Sequence, residues 1–236
     1  MAAHFNIEQI DASPVHRKYV VSFFGDQILT TITADSDIVT QWFNEMERPS
    51  LLLVGVGVHF RCFNEFVAAT LELCVGGRCL LYQVDCVTTE HPDALLDFLR
   101  NEEYTFVGWK ISRHLNRLYE DQALDIPRKI SVELRKLTAK RCADLGRDAE
   151  LSALAEMVLG KELEDMPVDN LIPLRWDLDV LLASQVKHAC AEAFVSFEIG
   201  RVLNAREYRL TPRDDQGYPD YSDPSASSDE DSSDSS

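Results

Sequence analysis

The chain has 236 residues, 45% of them hydrophobic, and a formal net charge of −17 at pH 7. This length and apolar content suffice for one globular domain with a full core. No segment approaches the about 18 consecutive apolar residues of a membrane helix, and the start of the chain lacks the apolar stretch of a signal peptide. We therefore expect an intracellular protein of the nucleus or cytoplasm that has no membrane partner.

The first half of the chain predicts strands with one helix between them. Residues 18–34 are rich in β-branched and aromatic residues on both sides of a Gly-Asp pair, which predicts a hairpin. Asp35 is placed to cap a following helix. Residues 51–60 are almost continuously apolar, as in a strand covered on both faces. Residues 67–84 predict a second hairpin that turns at a Gly-Gly pair.

The second half of the chain alternates helices with strands. Pro92 is placed to begin a helix and Gly160 to end one. Further strands are predicted at 104–111 and 130–134, and further helices at 113–123, 151–159 and 183–203. Hairpins followed by alternating helices and strands predict an α/β fold in which helices flank a mixed sheet.

Charge and composition divide the chain into three parts. Residues 214–236 hold eight acidic residues and no basic one, so residues 1–213 carry a net charge of −9. From residue 205 onward the composition turns to Asp, Ser, Pro and Gly, which is too polar to pack. We predict an N-terminal arm over 1–16, one domain over 17–204 and a disordered acidic tail over 205–236.

A local excess of positive charge lies within this acidic chain. Residues 128–147 contain seven basic residues and two acidic ones. This run is either a solvated helix face or a surface that binds nucleic acid or the acidic tail. The candidate nucleic-acid-binding residues are Arg128, Lys129, Arg135, Lys136, Lys140 and Arg141, with Arg147 beyond them.

We expect the cysteine and tryptophan side chains to lie in the hydrophobic core and not in a functional site. The six cysteines, at positions 62, 74, 79, 86, 142 and 190, include no CxxC pair, and several lie in apolar surroundings. We expect reduced, buried thiols without disulfides. Trp42, Trp109 and Trp176 are likewise expected in the core and not as stacking platforms for bases.

Three segments, residues 51–61, 107–118 and 185–192, resemble the three motifs of Werner-type and ribonuclease D-type 3′–5′ exonuclease domains, the DEDDy family. The resemblance extends over residues 17–203 and is closest to the plant Werner-like branch. It implies a ribonuclease H-like fold and hydrolysis of DNA or RNA 3′ ends with Mg²⁺ or Mn²⁺.

The family's catalytic positions are occupied by unusual residues. The resemblance places Gly57, His59, His114 and Glu192 where the family has its four acids, and His188 where it has a tyrosine. A two-metal site needs several carboxylate oxygens, and among these residues only Glu192 supplies any. We therefore predict an inactive exonuclease-like protein that binds nucleic acid or a protein partner, such as an active relative. The alternative is an active 3′–5′ exonuclease.

The same positions offer a different kind of metal site. In the strand 51–60 side chains alternate, so positions 57 and 59 share a face, and His188 and Glu192 lie one turn apart on a helix. His59, His114, His188 and Glu192 together form a donor set that suits Zn²⁺. We expect that these are polar residues at a cleft wall with no metal and no cofactor; a zinc site is the alternative.

Overall fold

The computed structural model describes residues 5–47, 50–63, 65–84, 90–142, 149–163 and 175–211. Within these ranges the chain forms eight strands and seven α-helices. The strands are β1 (Asn6–Ala12), β2 (His16–Phe23), β3 (Asp26–Thr33), β4 (Leu53–Phe63), β5 (Glu65–Val75), β6 (Arg78–Gln83), β7 (Thr105–Gly108) and β8 (Ser131–Glu133). The helices are α1 (Ser36–Glu45), α2 (Asp93–Arg100), α3 (Ile111–Gln122), α4 (Leu134–Arg141), α5 (Leu151–Leu159), α6 (Ala183–Val202) and α7 (Ala205–Leu210).

The strands form one mixed sheet in the order β1-β2-β3-β6-β5-β4-β7-β8. The two predicted hairpins, β2-β3 and β5-β6, are antiparallel, and β4 also pairs with β5 antiparallel. Strands β3 and β6, β4 and β7, and β7 and β8 pair in parallel. The predicted α/β fold with a mixed, helix-flanked sheet is confirmed.

The helices cover both faces of the sheet. On one face, α4, α5 and α6 pack over β2, β3 and β7 through residues such as Leu137, Leu154 and Val186. On the other face, α1, α2 and α3 pack over β4 and β6, for example through Trp42 and Leu118. A sheet with two apolar faces explains why residues 51–60 are almost continuously apolar.

Helix α6 lies unusually close to β4, and a glycine makes this possible. A Cβ at Gly55 would lie 2.0 Å from the carbonyl oxygen of Ala193 and 2.8 Å from the backbone nitrogen of Phe197. Because both atoms belong to the backbone, no side-chain movement could relieve such a contact. The absence of a side chain at residue 55 therefore fixes α6 against the strand and sets the position of every residue on its inner face.

Two described elements lie outside the predicted domain over 17–204. Strand β1 lies within residues 1–16, expected as an arm, and pairs with β2 at the edge of the sheet. Its pairing uses backbone hydrogen bonds, which do not require an apolar pattern. Helix α7 lies within residues 205–236, expected to be disordered; Asn204 caps it and Ala205 is buried. The acidic tail beyond residue 211 lies outside the described residues.

Burial is confirmed for three of the four cysteines whose side chains the structure describes, and for all three tryptophans. Cys74, Cys79 and Cys190 are free and buried, and burial raises the pKa of each thiol. Cys142 is free and partly exposed. The prediction for the side chains of Cys62 and Cys86 falls outside what the structure describes. All three tryptophans, Trp42, Trp109 and Trp176, are buried.

Candidate metal centre

Strand β4 and helix α6 bring three of the predicted site residues together. The Nε2 atom of His59 lies 3.5 Å from Oε2 of Glu192, and the Nε2 atom of His188 lies 3.8 Å from the same oxygen. One potential ligand atom from each of these residues lies within 4.8 Å of the others. His188 and Glu192 lie one helical turn apart, as predicted, and His59 on the strand faces them. The three side chains therefore meet at one place.

Glu72 on β5 is a fourth member of this cluster, and the sequence interpretation missed it. It pairs across the strands with Gly57, and its side chain is fully buried. Its Oε1 accepts a hydrogen bond from the Thr70 hydroxyl and lies 3.2 Å from Nδ1 of His59. The signal that could have found it is a glutamate in the middle of an otherwise apolar strand, since such a residue is almost never buried without a partner.

The carboxylate of Glu72 occupies the space beside Gly57. A Cβ at residue 57 would lie 2.7 Å from Oε2 of Glu72 and 3.6 Å from Oε1 of Glu192. Position 57 therefore supplies no ligand of its own, and a neighbouring strand places a carboxylate against it.

Trp176 covers the cluster. Its ring stacks on the imidazole of His59 with a centroid separation of 3.8 Å and an interplanar angle of 27°. Trp176 is only 5% exposed, and His188 and Glu192 are similarly buried. The stacking fixes the plane of the His59 ring and limits access of solvent to the cluster.

His114 lies apart from the other histidines. It sits in the first turn of α3, and its ring contacts the ring of Phe60 with a centroid separation of 5.5 Å. Burial, with further contributions from the charge of His59 and nearby cations, lowers the pKa of His114 to about 3. The structure therefore does not bring His114 into the group of converging ligand atoms, and the predicted four-residue zinc set is reduced to three.

The donor atoms present do not fit a two-metal Mg²⁺ or Mn²⁺ site. Mg²⁺ prefers oxygen ligands in octahedral geometry, and a two-metal site needs several carboxylates shared between the ions. Here two of the three converging ligands are imidazoles, and residue 57 has no side chain. These residues therefore do not supply the oxygen ligands that a pair of such ions needs for hydrolysis.

The predicted basic surface is partly neutralised. Three of its members form ion pairs, Lys129 with Glu102, Arg135 with Glu133, and Arg141 with Glu207. Arg128 donates a hydrogen bond to Asn116 instead. Lys136 and Lys140 are exposed on α4, and neither forms an ion pair with another residue in the described ranges. Binding of nucleic acid by this surface stays a prediction, with these two lysines as its strongest part.

No helix among the described residues is both long and apolar enough to cross a membrane.

Comparison with known proteins identifies the fold. No protein-family model and no curated protein matches the sequence. Among solved structures, the Aedes aegypti Nibbler EXO domain matches with a TM-score of 0.59 and 14% identity, covering 76% of this chain and 88% of that one. Brucella melitensis NrnC matches with a TM-score of 0.55 and 14% identity, covering 68% and 77%; its forms bound to pGG and to Mg²⁺ match as well. The chain thus has a ribonuclease H-like α/β fold, similar to the fold of these solved domains.

Proposed function

We propose that this protein is an exonuclease-fold protein that has lost Mg²⁺-dependent and Mn²⁺-dependent hydrolysis and acts by binding nucleic acid. The observation that carries the proposal is the arrangement at Gly57. The residue supplies no side-chain oxygen, and the space beside its Cα is filled by the carboxylate of Glu72. A pair of hard cations would have to be held by a cluster that is half imidazole, against their preference for oxygen.

Burial of the cluster supports the same conclusion. His188 is 5% exposed, Glu192 6% exposed, and Trp176 stacks on His59. A phosphodiester and its attacking water would need direct access to the metals in a two-metal mechanism. In this structure the side chains of His59, His188 and Glu192 are only 11%, 6% and 8% exposed, which leaves little room for such access.

Two observations support a remaining role in binding. The solved neighbours include NrnC bound to pGG, so this fold can accommodate short nucleic acid in at least one relative. The exposed Lys136 and Lys140 offer cations for phosphates on α4. Because the chain as a whole is acidic, we expect weak binding that falls steeply with salt.

The experiment is a degradation assay with 3′-labelled single-stranded and recessed-duplex DNA and RNA, in Mg²⁺, Mn²⁺ or Zn²⁺ separately. We expect intact substrate in every case and weak retention of the strand in a parallel binding assay. Stepwise shortening by the native protein would overturn the proposal. Failure to bind any strand would instead favour a protein partner.

A reconstructed variant serves as the positive control. It combines Gly57→Asp, His59→Glu, His114→Asp, His188→Tyr and Glu192→Asp with Glu72→Ala, which makes room for the new side chain at residue 57. Cleavage gained only by this variant would show that the groove still accepts a strand and that the native residues alone block hydrolysis.

An active exonuclease is the second candidate. The observation that favours it is that the carboxylates of Glu72 and Glu192 both lie beside Gly57, so two acids remain near the site. Under this alternative, Glu72→Gln and Glu192→Gln would each abolish shortening of the 3′ end. Under our proposal neither variant changes an activity that is already absent.

A further inference from the structure

The cluster beneath Trp176 has the composition and spacing of a site for one soft or borderline cation. We infer that His59, His188 and Glu192 bind a single Zn²⁺ ion, with Glu72 as the carboxylate that positions His59. This site goes beyond the proposed function and does not depend on it, since the protein can bind zinc whether or not it cleaves or binds nucleic acid.

The distances within the cluster are close to those of a tetrahedral site. Bonds of about 2.0–2.2 Å to nitrogen and oxygen place neighbouring ligand atoms about 3.3–3.5 Å apart. The two histidine Nε2 atoms lie 3.5 and 3.8 Å from Oε2 of Glu192. All three ligand atoms fall within 4.8 Å of one another, so small side-chain rotations would bring them to bonding geometry.

The donor atoms select zinc over the metals of two-metal nucleases. Two imidazoles and one carboxylate are a common ligand set for Zn²⁺, whereas Mg²⁺ and Ca²⁺ prefer oxygen alone. Affinity for such mixed nitrogen and oxygen sites also rises from Mn²⁺ toward Zn²⁺. Micromolar zinc should therefore bind where millimolar magnesium does not.

A buried carboxylate oxygen provides independent support. Oε2 of Glu72 is buried and has no hydrogen-bond partner among the described residues. It lies beside Gly57 on the same side of β4 as the Glu192 carboxylate. Buried carboxylates are costly unless positive charge compensates them, and one Zn²⁺ ion would neutralise this pair.

Glu72 is also placed to orient a ligand. Its Oε1 is 3.2 Å from Nδ1 of His59, on the opposite side of the imidazole from Glu192. The contact is at ion-pair distance. If Glu72 accepts the Nδ1 proton once a metal binds, Nε2 is left as the lone-pair donor facing the site, which is the usual arrangement around zinc-binding histidines. Thr70 holds the same oxygen of Glu72, and Trp176 holds the imidazole plane.

The test uses the full chain, stripped of metal with a chelator and titrated with Zn²⁺ in competition with a chromogenic chelator. We expect one tight site per chain and, with Co²⁺ in place of Zn²⁺, the intense visible absorption of tetrahedral coordination. Millimolar Mg²⁺ should not compete. His188→Ala and Glu192→Gln should each weaken zinc binding at least about 100-fold.

His114→Ala is the matched control, because this histidine is close in the fold but outside the ligand group. It should keep one tight zinc site. Glu72→Gln separates a positioning role from a ligand role: it should weaken zinc binding about 10–100-fold while the Co²⁺ spectrum keeps its tetrahedral form. Circular dichroism of each variant checks that loss of zinc binding is not loss of folding.

Two outcomes would overturn the inference. One is a native protein that binds zinc no more tightly than His188→Ala does, and the other is a His114→Ala variant that loses zinc as completely as His188→Ala. Failure of the proposed function is distinguishable from both, since it appears as strand shortening in Mg²⁺ or Mn²⁺ with no zinc present.

Discussion

Glu72 lies directly across the β4-β5 pair from Gly57, with its carboxylate 2.7 Å from the point that a Cβ of residue 57 would occupy. The two residues are therefore coupled: the glycine makes room for the buried acid.

Gly57→Ala should destabilise the protein by about 1–2 kcal/mol, because the new methyl group forces the Glu72 side chain to move. In a Glu72→Ala background the same substitution should cost little, since the contact is gone. Urea denaturation of the two single variants and the double variant gives the coupling energy. Additive effects would show that the two side chains do not compete for this space.

Gly55→Ala should be more harmful, with a loss of at least about 3 kcal/mol or failure to fold. The added Cβ would meet the Ala193 carbonyl at 2.0 Å, and backbone cannot move aside as a side chain can. Gly77→Ala is the matched control, because its Cβ would lie 3.4 Å from its nearest neighbour, the carbonyl oxygen of Gln27. Denaturation curves of the two variants should differ clearly; equal midpoints would contradict the close packing of α6 on β4.

The lowered pKa of His114 should make the free energy of unfolding decrease as the pH falls. Its folded-state pKa is lowered to about 3 from an ordinary value of 6.5, mainly by burial. As the pH falls, His114 therefore takes up a proton in the unfolded chain before it does so in the folded protein. The part of the unfolding free energy that depends on neutral His114 is fully present above about pH 6.5, and it is lost between pH 6.5 and 3. The loss is of order 1 kcal/mol per pH unit in this window.

His114→Gln should flatten the dependence of unfolding free energy on pH between 4 and 6. An NMR titration of the histidine ring protons in the native protein gives the pKa directly. A value near 6.5 for His114 would contradict the burial of its ring.

Trp176→Ala should cost about 3 kcal/mol or more, since it removes a large buried ring and uncovers His59. Trp176→Phe keeps an aromatic ring over the imidazole and should lose less. Comparing the two variants by urea denaturation gives the stability that an aromatic ring at this position restores. Equal losses would mean that an aromatic ring over the imidazole contributes nothing.

The exposed lysines of α4 should carry any binding of nucleic acid. Replacing Lys136 and Lys140 together by alanine should reduce the slope of log affinity against log salt by about 2. Lys129→Ala is the control, because Lys129 already pairs with Glu102 and should contribute less. Fluorescence anisotropy with a labelled oligonucleotide at several salt concentrations measures the slopes. Identical slopes for the native protein and the double variant would show that α4 does not contact the nucleic acid.

Local patterns in the sequence predicted the parts of the site that lie on one element. Alternation along β4 placed positions 57 and 59 on one face, and helical spacing placed His188 beside Glu192. Both follow from the geometry of a single strand or helix. The mixed sheet was predictable for the same reason, because hairpins and alternating elements leave local signals.

The remaining parts depend on how elements meet. Glu72 belongs to the site only because the β4-β5 register pairs it with Gly57, and no spacing within β5 reveals that register. His114 is excluded because α3, which begins after the left-handed Lys110, directs its ring toward Phe60. Strand β1 carries no apolar alternation, since it pairs at the sheet edge through its backbone and through polar side chains such as Gln9, which accepts a hydrogen bond from Tyr19.

The contact between residue 57 and Glu72 also constrains how this protein could change over generations. A single mutation to aspartate at position 57 would press a new side chain against a buried carboxylate and add a second negative charge beside it. Such a mutant should be less stable than the native protein. An acidic residue at position 57 would therefore be tolerated only after residue 72 had changed, so the contact fixes the order in which these two positions can be substituted.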